Sequence, residues 1–204
     1  MADTGSFKIE EEMNSRRKFL VAATSVAGGV AGVAVATPFM LSMMPSERAK
    51  AAGAPVEVDI SRLEEGLLLM VEWRGRVVWI LKRTPEMLET LVALEGELAD
   101  PKSEKDQQPD YAVNQTRSIK PEILVVVGLC THLGCSPVYR KDIAPEDLGA
   151  DWLGGFFCPC HGSKFDLAGR VYKNLPAPTN LLVPPHSYLS DNLLLIGAES
   201  KGSA

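Results

Sequence analysis

Apolar positions along this chain follow several rhythms, and each predicts a different element. From Phe19 to Met44 no charged residue occurs over 26 positions. That is long enough to cross a hydrocarbon layer, which takes about 20 residues, and exceeds the roughly 7–15 of a cleaved signal's apolar core. Half-buried strands are predicted at Val56–Ile60, Leu67–Trp73 and Arg76–Lys82, the last two joined by Arg74-Gly75 as a two-residue hairpin turn. Thr84-Pro85-Glu86 starts a helix, with threonine as N-cap, proline in the first turn and an acid behind it. Met87, Leu88, Leu91 and Leu94 give that helix one apolar face. Residues 96–120 are polar and without period, which predicts loop. The β-branched run Glu122–Leu129 predicts a buried strand, and Gly154–Phe157 a shorter one. Phe165–Tyr172 reads as a hairpin turning at Ala168-Gly169, and Leu181–Val183 and Leu193–Ile196 complete the pattern. The fold class is mainly antiparallel β with one inserted helix, plus a single N-terminal transmembrane helix.

Four segments follow: 1–18, a charged N-terminus; 19–44, the membrane anchor; 45–55, a linker bounded by prolines and rich in small residues; and 56–204, the folded head. The 204 residues are 46% hydrophobic and 23% charged, an ordinary globular balance. Residues 1–18 carry equal numbers of acids and bases and Glu47, Arg48 and Lys50 add +1, so the head carries about −6 against a total of −5. No basic stripe is present, so nucleic-acid binding is excluded as a function class. Ser15-Arg16-Arg17-Lys18-Phe19-Leu20 stands directly before the apolar run and looks like a twin-arginine export signal, used by proteins exported already folded around a cofactor. It predicts a cytoplasmic N-terminus and an extracytoplasmic head, in a compartment that permits disulfides. Ala49-Lys50-Ala51 fits a small-x-small cleavage site, but the length of the apolar run favours retention.

The chemistry concentrates in two cassettes. Cys130-Thr-His132-Leu-Gly-Cys135 and Cys158-Pro-Cys160-His161-Gly-Ser163 contain all four cysteines and two of the three histidines. Two thiolates with two imidazoles suit tetrahedral zinc, or a 2Fe–2S cluster in which two histidines replace two cysteines on one iron. Zinc has no use for the two remaining cysteines. A pair of plain disulfides uses every cysteine but leaves the histidines unexplained. Cys158-Pro-Cys160 has the wrong spacing for a Cys-x-x-Cys redox motif. Spacing favours the mixed Cys/His cluster and leaves the other two open. His186 reads as a structural or surface residue, and Trp73, Trp79 and Trp152 as packing. Gly28, Gly29 and Gly32 in the anchor are weak evidence of close helix packing.

The two cassettes together resemble the signature of Rieske iron–sulfur proteins. With the anchor, linker, inserted helix and proline-rich turn Leu175-Pro-Ala-Pro178, the likeness extends over nearly the whole chain to the Rieske subunits of cytochrome bc1 complexes. The resemblance implies stacked sheets with a small cluster-binding subdomain at about 128–180. It implies one 2Fe–2S cluster bound by Cys130 and Cys158 on one iron and by His132 and His161 on the other. Cys135 and Cys160 would form the disulfide between the loops.

The same resemblance gives His161 contact with quinol, places His132 beside it, and has Leu133 cover the cluster. It has Ser163 donate a hydrogen bond to a sulfide and Pro176 and Pro178 stiffen a shielding loop. The implied activity is quinol–cytochrome c oxidoreduction, with cytochrome b and cytochrome c1 as partners in a dimeric complex of the bacterial inner membrane, the head lying in the periplasm. Many relatives carry tyrosine two positions after that serine, where this chain has Phe165, which predicts a lower reduction potential. The rivals are a subunit of a b6f-type or other quinol-oxidising complex, a Rieske ferredoxin serving an oxygenase, and a non-redox zinc or disulfide domain on a stalk. The anchor, export signal and extra cysteine pair count against the ferredoxin.

Overall fold

A computed structural model describes residues 4–46 and 53–198, with side chains from Asn14 onward. The chain divides into two compact units, Met1–Lys50 and Ala51–Ala204. The first holds one helix, α1 (Thr4–Ser42). It begins well before the apolar run, because nothing in the charged stretch, the arginine pair included, breaks a helix. Its segment Asn14–Ser42 is long and apolar enough to cross a membrane, and none of it is buried within the chain. Hydroxyls that would be orphaned in hydrocarbon are satisfied locally: Thr24 and Thr37 donate to the carbonyls of Leu20 and Val33, each at 2.7 Å. The predicted linker 45–55 and the small-x-small site lie mostly outside the described residues.

The second unit contains three three-stranded antiparallel sheets. The first orders β1 (Val56–Asp59), β9 (Leu193–Ile196) and β8 (His186–Ser190). The second orders β2 (Leu68–Trp73), β3 (Arg76–Lys82) and β4 (Ile123–Val127). The third, small one orders β5 (Val138–Arg140), β6 (Gly155–Phe157) and β7 (Lys164–Phe165).

Alternation along the second sheet explains how the layers stack. Val78 and Ile80 on β3, with Ile123, Val125 and Val127 on β4, pack with Val58, Leu194 and Ile196 of the first sheet. Their neighbours Trp79, Leu81, Leu124 and Val126 join Phe156, Phe165 and Leu167 in a separate core on the other face. A strand buried on both sides must be apolar at every position, which is why β4 reads as an unbroken hydrophobic run. Trp79 stacks on Phe156 with ring centroids 5.0 Å apart and so couples this sheet to the third. Each such side chain contributes roughly 1.5–3 kcal/mol through burial.

The hairpin forms as read: Trp73 pairs with Arg76 across Arg74-Gly75. The helix α2 (Pro85–Ala93) also starts as read, with Thr84 Oγ1 accepting the Met87 N–H, and it buries Leu91.

Three readings need correction. Val138–Arg140 and His186–Ser190 are strands the pattern did not predict; the first is three residues long and the second follows two prolines. Leu181–Val183 is not a strand, because Pro184 and Pro185 have no N–H to continue a ladder. Its backbone is used otherwise: Val127 N–H donates to the Leu182 carbonyl at 2.7 Å, and Val183 N–H to Gln107 at 2.8 Å. The Phe165–Tyr172 hairpin is reduced to β7 and a single bridge from Phe165 to Val171. Its turn is organised by Asp166, whose carboxylate accepts the N–H groups of Ala168 and Arg170. The polar segment 96–120, read as loop, includes short 3-10 turns at Glu95–Glu97 and Asp110–Ala112 and a bridge from Leu98 to Tyr172, and it buries Asp100, Ser103, Arg117 and Ser118.

Candidate metal centre

Strand β4 ends three residues before Cys130, and β6 ends directly before Cys158, so strands of two different sheets deliver the cassettes as loops. The two loops share one backbone design. In each, the N–H of the first residue donates to the carbonyl of the sixth: Cys130 to Cys135 at 2.7 Å, Cys158 to Ser163 at 2.8 Å. In each, the N–H of the fifth returns to the carbonyl of the first: Gly134 to Cys130 and Gly162 to Cys158, both at 2.9 Å. That fifth residue has φ of +79° in both loops, a left-handed conformation that glycine adopts without a Cβ clash.

The disulfide Cys135–Cys160 links the loops with a Cα separation of 6.7 Å. It uses two of the four cysteines; Cys130 and Cys158 remain free thiols, 3% and 1% exposed. The reading of two disulfides is therefore wrong. The sulfur atoms of Cys135, Cys158 and Cys160 lie within 4.8 Å of one another. They do not form a metal trio, because a disulfide sulfur has no thiolate to offer. Burial pushes the Cys158 thiol up, and the adjacent Cys130 thiol adds to this, while the N–H groups of Cys160 and His161 point toward the sulfur and favour its anion. Donors aimed at a buried sulfur suit a metal-bound thiolate.

The imidazoles of His132 and His161 meet edge to face, with centroids 4.8 Å apart. His161 is exposed and His132 half-buried, with its Nδ1 enclosed and without a hydrogen-bond partner. An orphaned ring nitrogen beside two buried free thiols is what a metal would satisfy. The donor set of two sulfurs and two nitrogens thus fits a Cys₂His₂-ligated cluster.

A third loop covers the site. Ala177 N–H donates to Ser163 Oγ at 3.1 Å, and Thr131 Oγ1 donates to the Thr179 carbonyl at 2.7 Å, so the proline turn is tied to both cassettes. Lys105 Nζ reaches the Pro178 carbonyl from the long loop. Pro176 and Pro178 are exposed, whereas Ser163 and Phe165 are fully buried. Leu133 is 71% exposed at the tip of the first loop.

Thr131 and Asn180 escaped the sequence reading. Asn180 receives the Val171 N–H and donates to Asp100 and Ser103. Its local signal is a polar residue two positions after the proline turn.

His186 lies away from the cassettes in the fold's organisation, on β8, paired in register with Ile196. It is 1% exposed and packs edge-on against Tyr111, so its role is structural. Trp73, Trp79 and Trp152 are all buried, as packing residues are.

Two family models match this chain: "Ubiquitinol-cytochrome C reductase Fe-S subunit TAT signal" over residues 8–46 and "Rieske [2Fe-2S] domain" over residues 90–186. The fold and site thus define an iron–sulfur protein of the Rieske class with a 2Fe–2S cluster. The ubiquinol–cytochrome c reductase iron–sulfur subunit of Allochromatium vinosum is 62% identical over 93% of this chain and 91% of its own length. Those of Blastochloris viridis and Rhodospirillum rubrum are 43% and 44% identical, each over 90% of this chain, covering 93% and 92% of their own lengths. A solved structure titled "Hyperthermophilic respiratory Complex III" aligns with 87% of this chain and 98% of its own at 25% identity and a TM-score of 0.47. The chain belongs to the family of ubiquinol–cytochrome c reductase iron–sulfur subunits.

Proposed function

We propose that this chain is the electron-transferring iron–sulfur subunit of a quinol–cytochrome c oxidoreductase, with Cys130, His132, Cys158 and His161 as the cluster ligands. The observation that carries this reading is the pairing of two buried free thiols with two facing imidazoles, beside a disulfide that removes the other cysteines. A cluster so ligated supplies a one-electron acceptor of high potential, because neutral imidazoles replace two anionic thiolates and a plant-type potential near −400 mV rises to roughly −150 to +300 mV.

The protein's own groups do the rest. His132 turns its enclosed Nδ1 inward, which leaves Nε2 to hold a proton. His161, exposed at the tip, uses the ring nitrogen not bound to metal to accept a hydrogen bond from the quinol hydroxyl. A ring nitrogen not bound to metal is free to take the quinol proton, so the histidine at the tip would receive it in place of bulk water. Leu133 shields the site from water and faces the quinone pocket. Ser163 Oγ accepts the Ala177 N–H and keeps its own proton for donation toward the cluster, which raises the potential.

Segment 19–44 serves as the anchor of a single-pass protein in the bacterial inner membrane, with 1–18 cytoplasmic and the head, 56–204, periplasmic. Cytochrome b delivers quinol at the tip, and cytochrome c1 takes the electron. Segment 45–55 joins anchor and head in the sequence.

Low-temperature EPR after reduction with ascorbate tests the assignment. The expected result is a rhombic signal averaging below the free-electron g value. Silence with ascorbate, with zinc in place of iron by metal analysis, would refute it.

A further inference from the structure

The head also buries three arginines. Arg83 follows β3, Arg117 lies near the end of the long irregular segment, and Arg170 closes the turn after the second cassette; they are 1%, 0% and 0% exposed. Arg170 pairs with Asp166 at 2.7 Å, both without side-chain exposure. Among the described residues, Arg83 and Arg117 have no carboxylate within ion-pair distance. Carbonyls and neutral groups surround them instead. Arg83 donates to the carbonyls of Thr116 and Leu167 and to Ser118 Oγ. Arg117 donates to the carbonyls of Ala168, Gly169, Gln107 and Leu181 and to Gln108 Oε1. Burial pulls both guanidinium groups down to about 10, so both stay charged at neutral pH. Asp166 acts on both through space, and Asp100 on Arg117.

A brace alone has no need of such charge. Apolar side chains of similar volume hold a core at least as well, and burying ions carries a large desolvation cost. Where these cations are fastened is informative. Leu167, Ala168 and Leu181, whose carbonyls receive them, share one apolar core with Cys130 and Cys158. The positive charge is thus attached to the same apolar core that holds the two thiols, out of reach of counterions.

We infer that Arg83 and Arg117 are positioning residues of the metal site that also hold a fixed positive potential behind it and raise its affinity for an electron. The inference rests on the ligand assignment above. At a separation of roughly 10 Å, the thickness of one packed layer, a unit charge acting through an effective dielectric of about 20 shifts a one-electron equilibrium by about tenfold, or about 59 mV.

Redox titration of the membrane-bound complex, followed by EPR at low and high salt, tests this. Arg117→Met should lower the midpoint by an amount equivalent to about tenfold, with unchanged g values and little salt dependence, and Arg117→Lys should retain it. Asp100→Asn removes a negative charge and should move the midpoint the other way, a reversal no structural lesion produces. It decides the matter even where Arg117→Met fails to assemble a cluster. Unchanged midpoints with intact signals, or an equal fall in the lysine and methionine variants, would overturn the inference and leave the arginines as braces. A wild-type complex without iron would overturn the ligand assignment and this inference with it.

Discussion

The two cassettes have the same backbone but different chemistry. Aligned by their hydrogen bonds, Cys130 matches Cys158 and Gly134 matches Gly162, but His132 falls opposite Cys160, Leu133 opposite His161, and Cys135 opposite Ser163. A shift of one position between the histidines makes them inequivalent. His161 takes the outermost place, which Leu133 holds in the first loop, while His132 sits one step inward and half-buried. The same shift offsets the remaining cysteines, so that the third position of one loop bonds to the sixth of the other. A symmetric scaffold thus carries one exposed imidazole and one half-buried one.

The strongest test of the shared design is removal of the matched cysteines. Cys130→Ser and Cys158→Ser should each abolish the cluster, seen as complete loss of the EPR signal and of protein-bound iron; retention in either variant would break the equivalence. Cutting the offset link comes next. Cys135→Ala should cost about 3 kcal/mol of stability by loop-closure entropy, measured by thermal unfolding with the cluster in place. A smaller loss would mean that the proline turn, through Thr131 and Ser163, holds the loops together unaided.

Gly134→Ala and Gly162→Ala sharpen the comparison further. Neither position has an atom within 4 Å of the added Cβ, and both have φ of +79°, so each should cost about 1–2 kcal/mol, and the two should cost the same. Unequal losses in denaturant titrations would show that the loops are not mechanically alike.

His186 provides a third imidazole outside the pair. Burial holds its pKa below the ordinary value, so its neutral form is preferred in the folded state. The unfolded chain takes up that proton more readily, so the stability it confers is full above pH 6.5 and declines as pH falls below it, by at most about 1.4 kcal/mol per pH unit. His186→Gln should flatten that slope in unfolding experiments and leave the pH dependence of the midpoint potential unchanged. A changed redox profile would contradict its structural role. The smallest expected effect is at Phe165. Phe165→Tyr adds one hydroxyl to the core that holds Cys130 and Cys158; bonded to either sulfur it is worth about 1 kcal/mol and should raise the midpoint by about 40 mV, and no change in the titration would remove this residue from the account of the potential.

Local signals made much of the molecule legible. The uncharged run, the Arg74-Gly75 hairpin, the Thr84-Pro85 helix start and the unbroken apolar β4 depend on neighbours in sequence, and all are present. Both cassettes announced their chemistry because ligand spacing is itself local.

Contacts across the chain decided the rest. Val138–Arg140 is a strand only because β6 lies beside it, and His186–Ser190 only because β9 does. Leu181–Val183 has strand-like composition, but its backbone is claimed by β4, Gly169 and Gln107. The polar residues of 96–120 looked like solvated loop, yet Arg117 spends its donors on carbonyls as many as 64 positions away. By itself, then, the sequence determined the elements with local periodicity and the identity of the donors. Tertiary structure alone decided which cysteines stay free, which imidazole faces out and which charges stand behind them, because burial and pairing belong to the packed chain and not to any segment of it.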